Sequence, residues 1–204
     1  MYKEGLKRGI DLFMSLAGII ILSPVFLMIC LAIKLDSRGP IIFKQKRVGK
    51  DKSYFDIYKF RTMKTETPKE MPTHLLADPD FFITKVGKFL RKTSLDELPQ
   101  LFNILKGDMA VIGPRPALWN QYDLIDERDK YNANDIRPGL TGLAQISGRD
   151  ELEIPHKAKL DGYYTENITP AMDIKCFFGT ITSVFKSDGV VEGGTGTIKK
   201  EDGK

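Results

Sequence analysis

The sequence predicts an α+β protein. An N-terminal membrane helix enters and returns on one side, and a small mixed helix and strand cytosolic domain with interfacial amphipathic helices follows it. Three observations predict this. Residues 12–33 form an uncharged run of 22, interrupted by Ser23-Pro24. Basic residues flank that run on both sides. Beyond it, short β-prone stretches alternate with helix-patterned ones. The expected division is 1–36 for the membrane-inserted helix, 37–186 for the globular domain and 187–204 for a poorly ordered tail.

At about 1.5 Å per residue the apolar run makes a helix about 33 Å long, enough to cross about 30 Å of hydrocarbon. A core helix apolar on every side does not suit so small a domain. Pro24 removes one helical N–H and crowds the carbonyl four residues back, so a bend is expected, with the Ser23 hydroxyl available to the freed carbonyl. A sharp bend leaves two arms of about 15 Å each. Lys3, Lys7 and Arg8 precede the run, and Lys34, Arg38, Lys44, Lys46 and Arg47 follow it. Positive-inside reasoning then wants both ends in the cytoplasm. Re-entry satisfies that demand; a kinked spanning helix is the alternative.

The whole chain has 204 residues, enough for one domain with a sizeable core. It is 28% charged with a formal net charge of +4 and pI near 8.9. That balance suits a partner carrying phosphates: nucleic acid, anionic lipid or a nucleotide. Cys30 and Cys176 give no disulfide framework, and with only His74 and His156 beside them no zinc pattern exists. A reducing compartment is expected.

Residues Pro40 to Met63 read as a β-hairpin turning at Gly49-Lys50-Asp51-Lys52. Between Phe43 and Lys64 stand eight basic residues against Asp51 and Asp56. They form either a solvated basic edge near lipid headgroups or a phosphate-facing strand, with Lys59 and Arg61 sharing a face by period-two alternation. Thr65 to Pro79 carries three prolines and reads as a loop. In Phe81 to Lys92, Phe81, Phe82, Val86, Phe89 and Leu90 interleave with Lys85, Lys88, Arg91 and Lys92. That pattern suits a helix in the membrane interface or an ordinary amphipathic helix on the core.

Ser94-Leu95-Asp96-Glu97 opens the next helix. Ser94-x-x-Glu97 before an apolar run is a capping-box signature, with Glu97 bonding back to the Ser94 N–H. Asp96 has no task in that box, yet first-turn N–H groups would hold it ionised, as a nucleophile toward phosphorus must be. Glu97 could hold a hard cation such as Mg²⁺. The helix stops at Gly107, and Met109 to Ile112 reads as a short strand. Gly113-Pro114-Arg115-Pro116 presents an arginine held extended between prolines, suited to bidentate phosphate binding or to starting a helix at Pro116. Ala117 to Asn134 reads as helical. Arg137 through Arg149 carries three glycines and two arginines, either a tight turn or an anion-presenting loop that includes Gln145. Pro155 to Tyr164 suggests a short helix in which Asp161 pairs with Lys157 at i,i+4. Ile174 to Phe185 is an apolar stripe at helical spacing, either core or membrane surface.

Five elements stand in a fixed order. They are the Ser23-Pro24 segment, Tyr58-Lys59-Phe60-Arg61-Thr62-Met63, Ser94-Leu95-Asp96-Glu97-Leu98-Pro99-Gln100-Leu101-Phe102-Asn103, Gly113-Pro114-Arg115-Pro116, and Arg137-Pro138-Gly139 through Gly148-Arg149. Together they resemble the bacterial sugar transferases, the monotopic phosphoglycosyl transferases that start glycan assembly on a polyprenol phosphate. The likeness runs from about Tyr2 to Phe185 and is to the minimal form of the family.

The resemblance implies that Asp96 attacks the β-phosphate of a UDP-sugar, expels UMP and carries the phosphosugar until polyprenol phosphate takes it. It implies Mg²⁺ on Glu97, and phosphates on Arg91 and Arg115. Lys59, Arg61, Gln145 and Arg149 would line the donor or acceptor pocket. Asp161 would support the metal or nucleotide, and Ser23-Pro24 would make the membrane helix re-entrant. The implied place is the bacterial inner membrane, with the catalytic domain on its cytoplasmic face and no nucleic-acid partner. A homodimer through the apolar helices stays open. Residues 150–156 do not follow the aromatic-acidic-basic pattern of many small members, so their sugar preference does not transfer. The rival class is a non-enzymatic, membrane-anchored basic module binding anionic lipid or nucleic acid. It accounts for the pI and the apolar run but not for an acidic pair flanked by arginines.

Overall fold

The structure, a computed structural model, describes residues 2–67, 79–148 and 152–186. A single π turn at Tyr2–Leu6 leads into α1 (Lys7–Ile21), and α2 (Ser23–Asp36) follows at a bend of 62°. Among the described residues no single helix is long and apolar enough to cross a membrane; the bent pair reaches that length and composition only together. Pro24 stands in the first turn of α2, where its missing N–H costs least. The carbonyl it orphans, that of Ile20, accepts the Ser23 hydroxyl at 2.8 Å.

The two helices divide their surfaces differently. On α1 the stripe Lys7, Asp11 and Ser15 is buried against the domain, while Ile10, Phe13, Leu16, Ile20 and Ile21 are exposed. Lys3, Lys7 and Arg8 are therefore not loose flanking charges. Lys3 donates to the Thr165 carbonyl, Arg8 to the Leu105 and Met109 carbonyls, and Lys7 forms a 2.7 Å ion pair with Asp173. At the other end of the pair, Asp36 accepts from the Val86 N–H and Lys34 donates to the Gly39 carbonyl. Both ends of the apolar run thus rest on the same body.

The hairpin is β1 (Ile42–Val48) paired antiparallel with β2 (Tyr54–Phe60). Asp51 and Lys52 take positive φ in its turn. Next come α3 (Pro79–Phe82) and α4 (Lys85–Lys92). The interleaved pattern divides between its two readings. Leu90 and Val86 pack with Ile29, Ile33 and Phe60 against α2, whereas Phe81 and Phe89 face outward. Then follow α5 (Gln100–Lys106) and β3 (Ala110–Ile112). The expected helix over Ala117 to Asn134 is shorter, α6 (Tyr122–Asp129). β4 (Gly139–Thr141) pairs parallel with β3 and leads into α7 (Leu143–Ile146). α8 (Ile154–Glu166) and α9 (Pro170–Lys186) complete the described chain.

The main core gathers Ile57, Leu101, Ile104, Met109, Ile112, Tyr164 and Cys176. Asn103 ties α5 to the hairpin, accepting from the Tyr58 N–H and donating to the Asp56 carbonyl. Of the apolar stripe on α9, Ile174, Phe177, Phe178 and Ile181 are exposed, so it is surface rather than core. The Arg149 position, most of the Thr65 to Pro79 loop and the tail from Ser187 lie outside the described residues.

Candidate active site

The capping box does not form. Ser94 takes a left-handed conformation (φ 55°, ψ 16°) and its side chain caps nothing. Leu95–Glu97 is one 3₁₀ turn, and the α-helix begins only at Gln100. That turn is fixed by tertiary packing: Leu95 and Leu98 pack into the cluster that Ile29 and Ile33 of α2 share with Phe60 and Leu90. The turn that carries the acidic pair is therefore anchored on α2 through these leucines.

Glu97 turns to two cations instead of its own backbone. Its Oε1 accepts from Lys59 Nζ at 2.8 Å and from Arg115 Nη2 at 2.7 Å, and its Oε2 accepts from Arg115 Nη1 at 3.3 Å. Asp96 is 8% exposed, and no donor among the described residues bonds its carboxylate. The first-turn N–H groups expected to hold it ionised do not do so. Arg91 lies within electrostatic reach of Asp96 and donates to the Thr62 hydroxyl and the Met63 sulfur.

These surroundings drive the two neighbouring carboxyls apart. Burial pushes Asp96 above the usual carboxylate range and the adjacent Glu97 charge adds to it, against Lys59, Arg91 and Arg115. Burial acts in the same upward sense on Glu97, but Arg115 and Lys59 overcome it and hold Glu97 well below the range. A pair of acids with separated proton affinities can divide its roles: one is a permanently charged anchor and the other a carboxylate ready for chemistry. Asp96 and Glu97 also supply adjacent hard oxygens, the small donor set that Mg²⁺ uses together with substrate phosphates. Among the described residues no cluster of three or more His, Cys, Asp or Glu forms an all-protein cage.

The structure brings Lys59, Arg91, Asp96, Glu97 and Arg115 together and gives Arg61 and Asp161 partners of their own. Arg61 is spent on the connection after α2, donating to the Ser37 and Arg38 carbonyls and the Ser37 hydroxyl at 2.7–2.8 Å. Alternation predicted a shared face with Lys59, but the strand ends at Phe60 and the side chain turns to that loop. Asp161 has Arg128 as its hydrogen-bonded partner, with the Lys157 charge acting on it in the same sense. It is buried between α6 and α8, where Arg128 Nε and Nη2 bond its Oδ2 at 2.8 and 2.6 Å. Gln145 is buried on α7 with both amide atoms unpartnered. It sits beside Gly142, where a Cβ would meet the Gln145 Oε1 at 3.0 Å and overlap the Gly113 carbonyl.

Sequence reasoning missed Arg47. It lies on the inner face of β1, the face that Phe43 shares with Lys59, and donates to the Pro116 carbonyl and to Gln45 Oε1. The signal was there in the same period-two alternation that singled out Lys59.

Residues 2–187 match the family described as bacterial sugar transferase. The chain belongs to that family. The transferase is 40% identical over 190 residues to an exopolysaccharide production protein of Rhizobium leguminosarum bv. phaseoli, a match that covers 87% of this chain and 94% of that protein. It is 38% identical over 199 residues to the undecaprenyl-phosphate galactose phosphotransferase of Salmonella typhimurium, covering 90% of this chain and 41% of that one. It is 38% identical over 185 residues to the undecaprenyl-phosphate glucose phosphotransferase of Komagataeibacter xylinus, covering 86% and 35%. The chain thus spans nearly all of one relative and well under half of the other two.

Proposed function

We propose that this transferase moves a sugar-1-phosphate from a UDP-sugar to a membrane polyprenol phosphate, undecaprenyl phosphate, and releases UMP. This is the first membrane step of glycoconjugate assembly. The observation that carries the reading is Asp96: a carboxylate on a largely buried residue that no donor among the described residues bonds, beside a charged Glu97 and within reach of three cations. A carboxylate that serves only the fold is paired, as Asp161 is with Arg128 and Asp173 with Lys7. One kept unbonded has a lone pair to offer, and the surrounding cations suit a substrate carrying two phosphates.

Asp96 Oδ attacks the β-phosphorus, and the bond from that phosphorus to the bridging oxygen breaks. UMP leaves with the electron pair, and an aspartyl phosphosugar remains. An oxygen of polyprenol phosphate then attacks the same phosphorus, breaks the acyl–phosphate bond and returns Asp96 as a carboxylate. Donor and acceptor are both anionic, and two displacements avoid gathering all their phosphates at once. Arg115 and Lys59, held by Glu97 in the free protein, are placed to take up the diphosphate, and Arg91 is placed beside Asp96. When bound, Mg²⁺ on Glu97 supplies further positive charge against the diphosphate.

The membrane placement rests on the docking of α1 and α2. Lys7 at one end pairs with Asp173, and Asp36 at the other holds Val86, so a straight crossing would have to separate ends that one domain holds. The exposed Ile20, Ile21, Leu27 and Met28 flank the bend, and we read the pair as a re-entrant hairpin dipping from the cytoplasmic face of the bacterial inner membrane. Relatives of equal identity are named for galactose and for glucose, so the sugar is left to experiment.

The test is a transfer assay with the full chain in nanodiscs, Mg²⁺, undecaprenyl phosphate and a panel of UDP-sugars. UMP and a lipid-linked product should form with at least one donor and be lost in Asp96→Asn. No difference between the two proteins across the panel overturns the reading.

A further inference from the structure

The segment that carries Arg115 cannot be held as an ordinary strand. Pro114 and Pro116 flank the arginine and neither has an N–H. Its carbonyls are held instead. The Gly139 N–H donates to the Pro114 carbonyl at 2.8 Å, and the Val48 N–H donates to that of Ala117 at 3.0 Å. The Pro116 carbonyl, next to Arg115, accepts from a side chain, Arg47 Nη1, at 3.0 Å. Arg47 also bridges antiparallel to Leu118, and its Nη2 donates to Gln45 Oε1 at 2.7 Å.

We propose that Arg47 is a positioning residue of this site: its guanidinium, forked between the Pro116 carbonyl and Gln45, fixes the segment that aims Arg115 at Glu97. The proposal rests on the reading of Arg115 as a phosphate-holding group. A guanidinium suits the task because its planar fork makes two bonds in a set geometry, which an ammonium does not. The place is an unfavourable one for a charge. Its Nε is buried without a partner, and burial lowers the Arg47 guanidinium to about 10, the nearby Arg115 charge adding to this and Glu97 opposing it. The two hydrogen bonds offset that cost; one reaches the proline segment at the Pro116 carbonyl and the other, to Gln45, stays on β1 and sets the guanidinium plane. Arg47 thus acts on the phosphates through Arg115.

The experiment uses the full chain in nanodiscs and two readouts. Phenylglyoxal labelling of Arg115, followed by peptide mass, reports how firmly the Glu97 pair holds it and needs no activity. A double-variant cycle in kcat/KM, with the UDP-sugar that supports turnover, reports whether Arg47 works through Arg115. In Arg47→Met, labelling should quicken and kcat/KM should fall about 100-fold, as misplacement by about 1 Å does. In an Arg115→Ala background the same change should alter kcat/KM by less than about twofold, because both changes remove one unit. Arg47→Lys, which keeps the charge and one donor, should restore part of each loss. Unchanged labelling, or losses that multiply in the double variant, would overturn the proposal. Should Arg47→Met not fold, wild-type labelling and rate in Arg47→Lys would overturn it equally. If no UDP-sugar is turned over, the transferase reading fails and the labelling still decides the role of Arg47.

Discussion

Replacing Asp161 with alanine separates a scaffold role from a catalytic one. The Asp161 carboxylate and the Arg128 guanidinium are 1% and 4% exposed and meet at 2.6 Å. Burial pushes Asp161 above the usual carboxylate range despite the attraction of Arg128, so desolvation already outweighs the pairing. The pair as a whole therefore adds little, but removing one partner strands a buried charge. Such single removals cost about 3–5 kcal/mol, whereas apolar replacement of both partners is about neutral. At about 2–4 °C per kcal/mol for a chain of this size, Asp161→Ala should lower the thermal midpoint by about 6–20 °C. Asp161→Leu combined with Arg128→Met should return most of it. The assay is thermal unfolding followed by circular dichroism, with the transfer rate measured per folded molecule. An unshifted midpoint with a collapsed rate would refute the argument and place Asp161 at the chemistry.

Three further outcomes follow from the same geometry. Asp96 must lose its proton to attack and its affinity for that proton is raised, so the acid limb of the rate profile should lie above the ordinary aspartate value of about 3.9; a midpoint at or below that value would contradict the electrostatics. Glu97 is depressed when folded, so its stabilisation is complete above the ordinary glutamate value of about 4.3 and is lost as pH falls below it. The gap in unfolding midpoint between wild type and Glu97→Gln should therefore be widest near neutral pH and shrink on acidification. Asp173 accepts Tyr2, Lys7 and Tyr164 at 2.6–2.7 Å, so Asp173→Ala should lower stability by about 3–5 kcal/mol and expose Lys3, Lys7 and Arg8 to trypsin. Unchanged cleavage there would mean that α1 is docked without help from Asp173.

What the sequence made legible follows a physical line. The hairpin, the short strand after Gly107 and the bend at Pro24 are local, and alternation, a glycine stop and a missing N–H each announce themselves in a few residues. Partner choice is not local. Ser94 and Glu97 have capping-box spacing, yet Glu97 finds Lys59 and Arg115 across the fold, and a charge-assisted pair outcompetes a backbone cap. Asp161 has Lys157 one turn away, but its partner is Arg128, which lies 33 residues earlier and becomes adjacent only when α6 packs on α8. The N-terminal cations read as a topology signal because charge counting sees which residues flank a run, not what they touch. Arg47 stood in the same alternation as Lys59 and was hidden among eight basic residues until Pro116 supplied a reason for it.

The most direct test of the central claim is whether Asp96 carries the phosphosugar. The intact mass of the full chain should be measured after incubation with Mg²⁺ and each UDP-sugar, without acceptor, for wild type and Asp96→Asn, alongside exchange of labelled UMP into the donor. The account predicts an adduct of sugar-phosphate mass on wild type alone and acceptor-independent exchange. Turnover that needs polyprenol phosphate for any UMP release, with no adduct and no exchange, would contradict it.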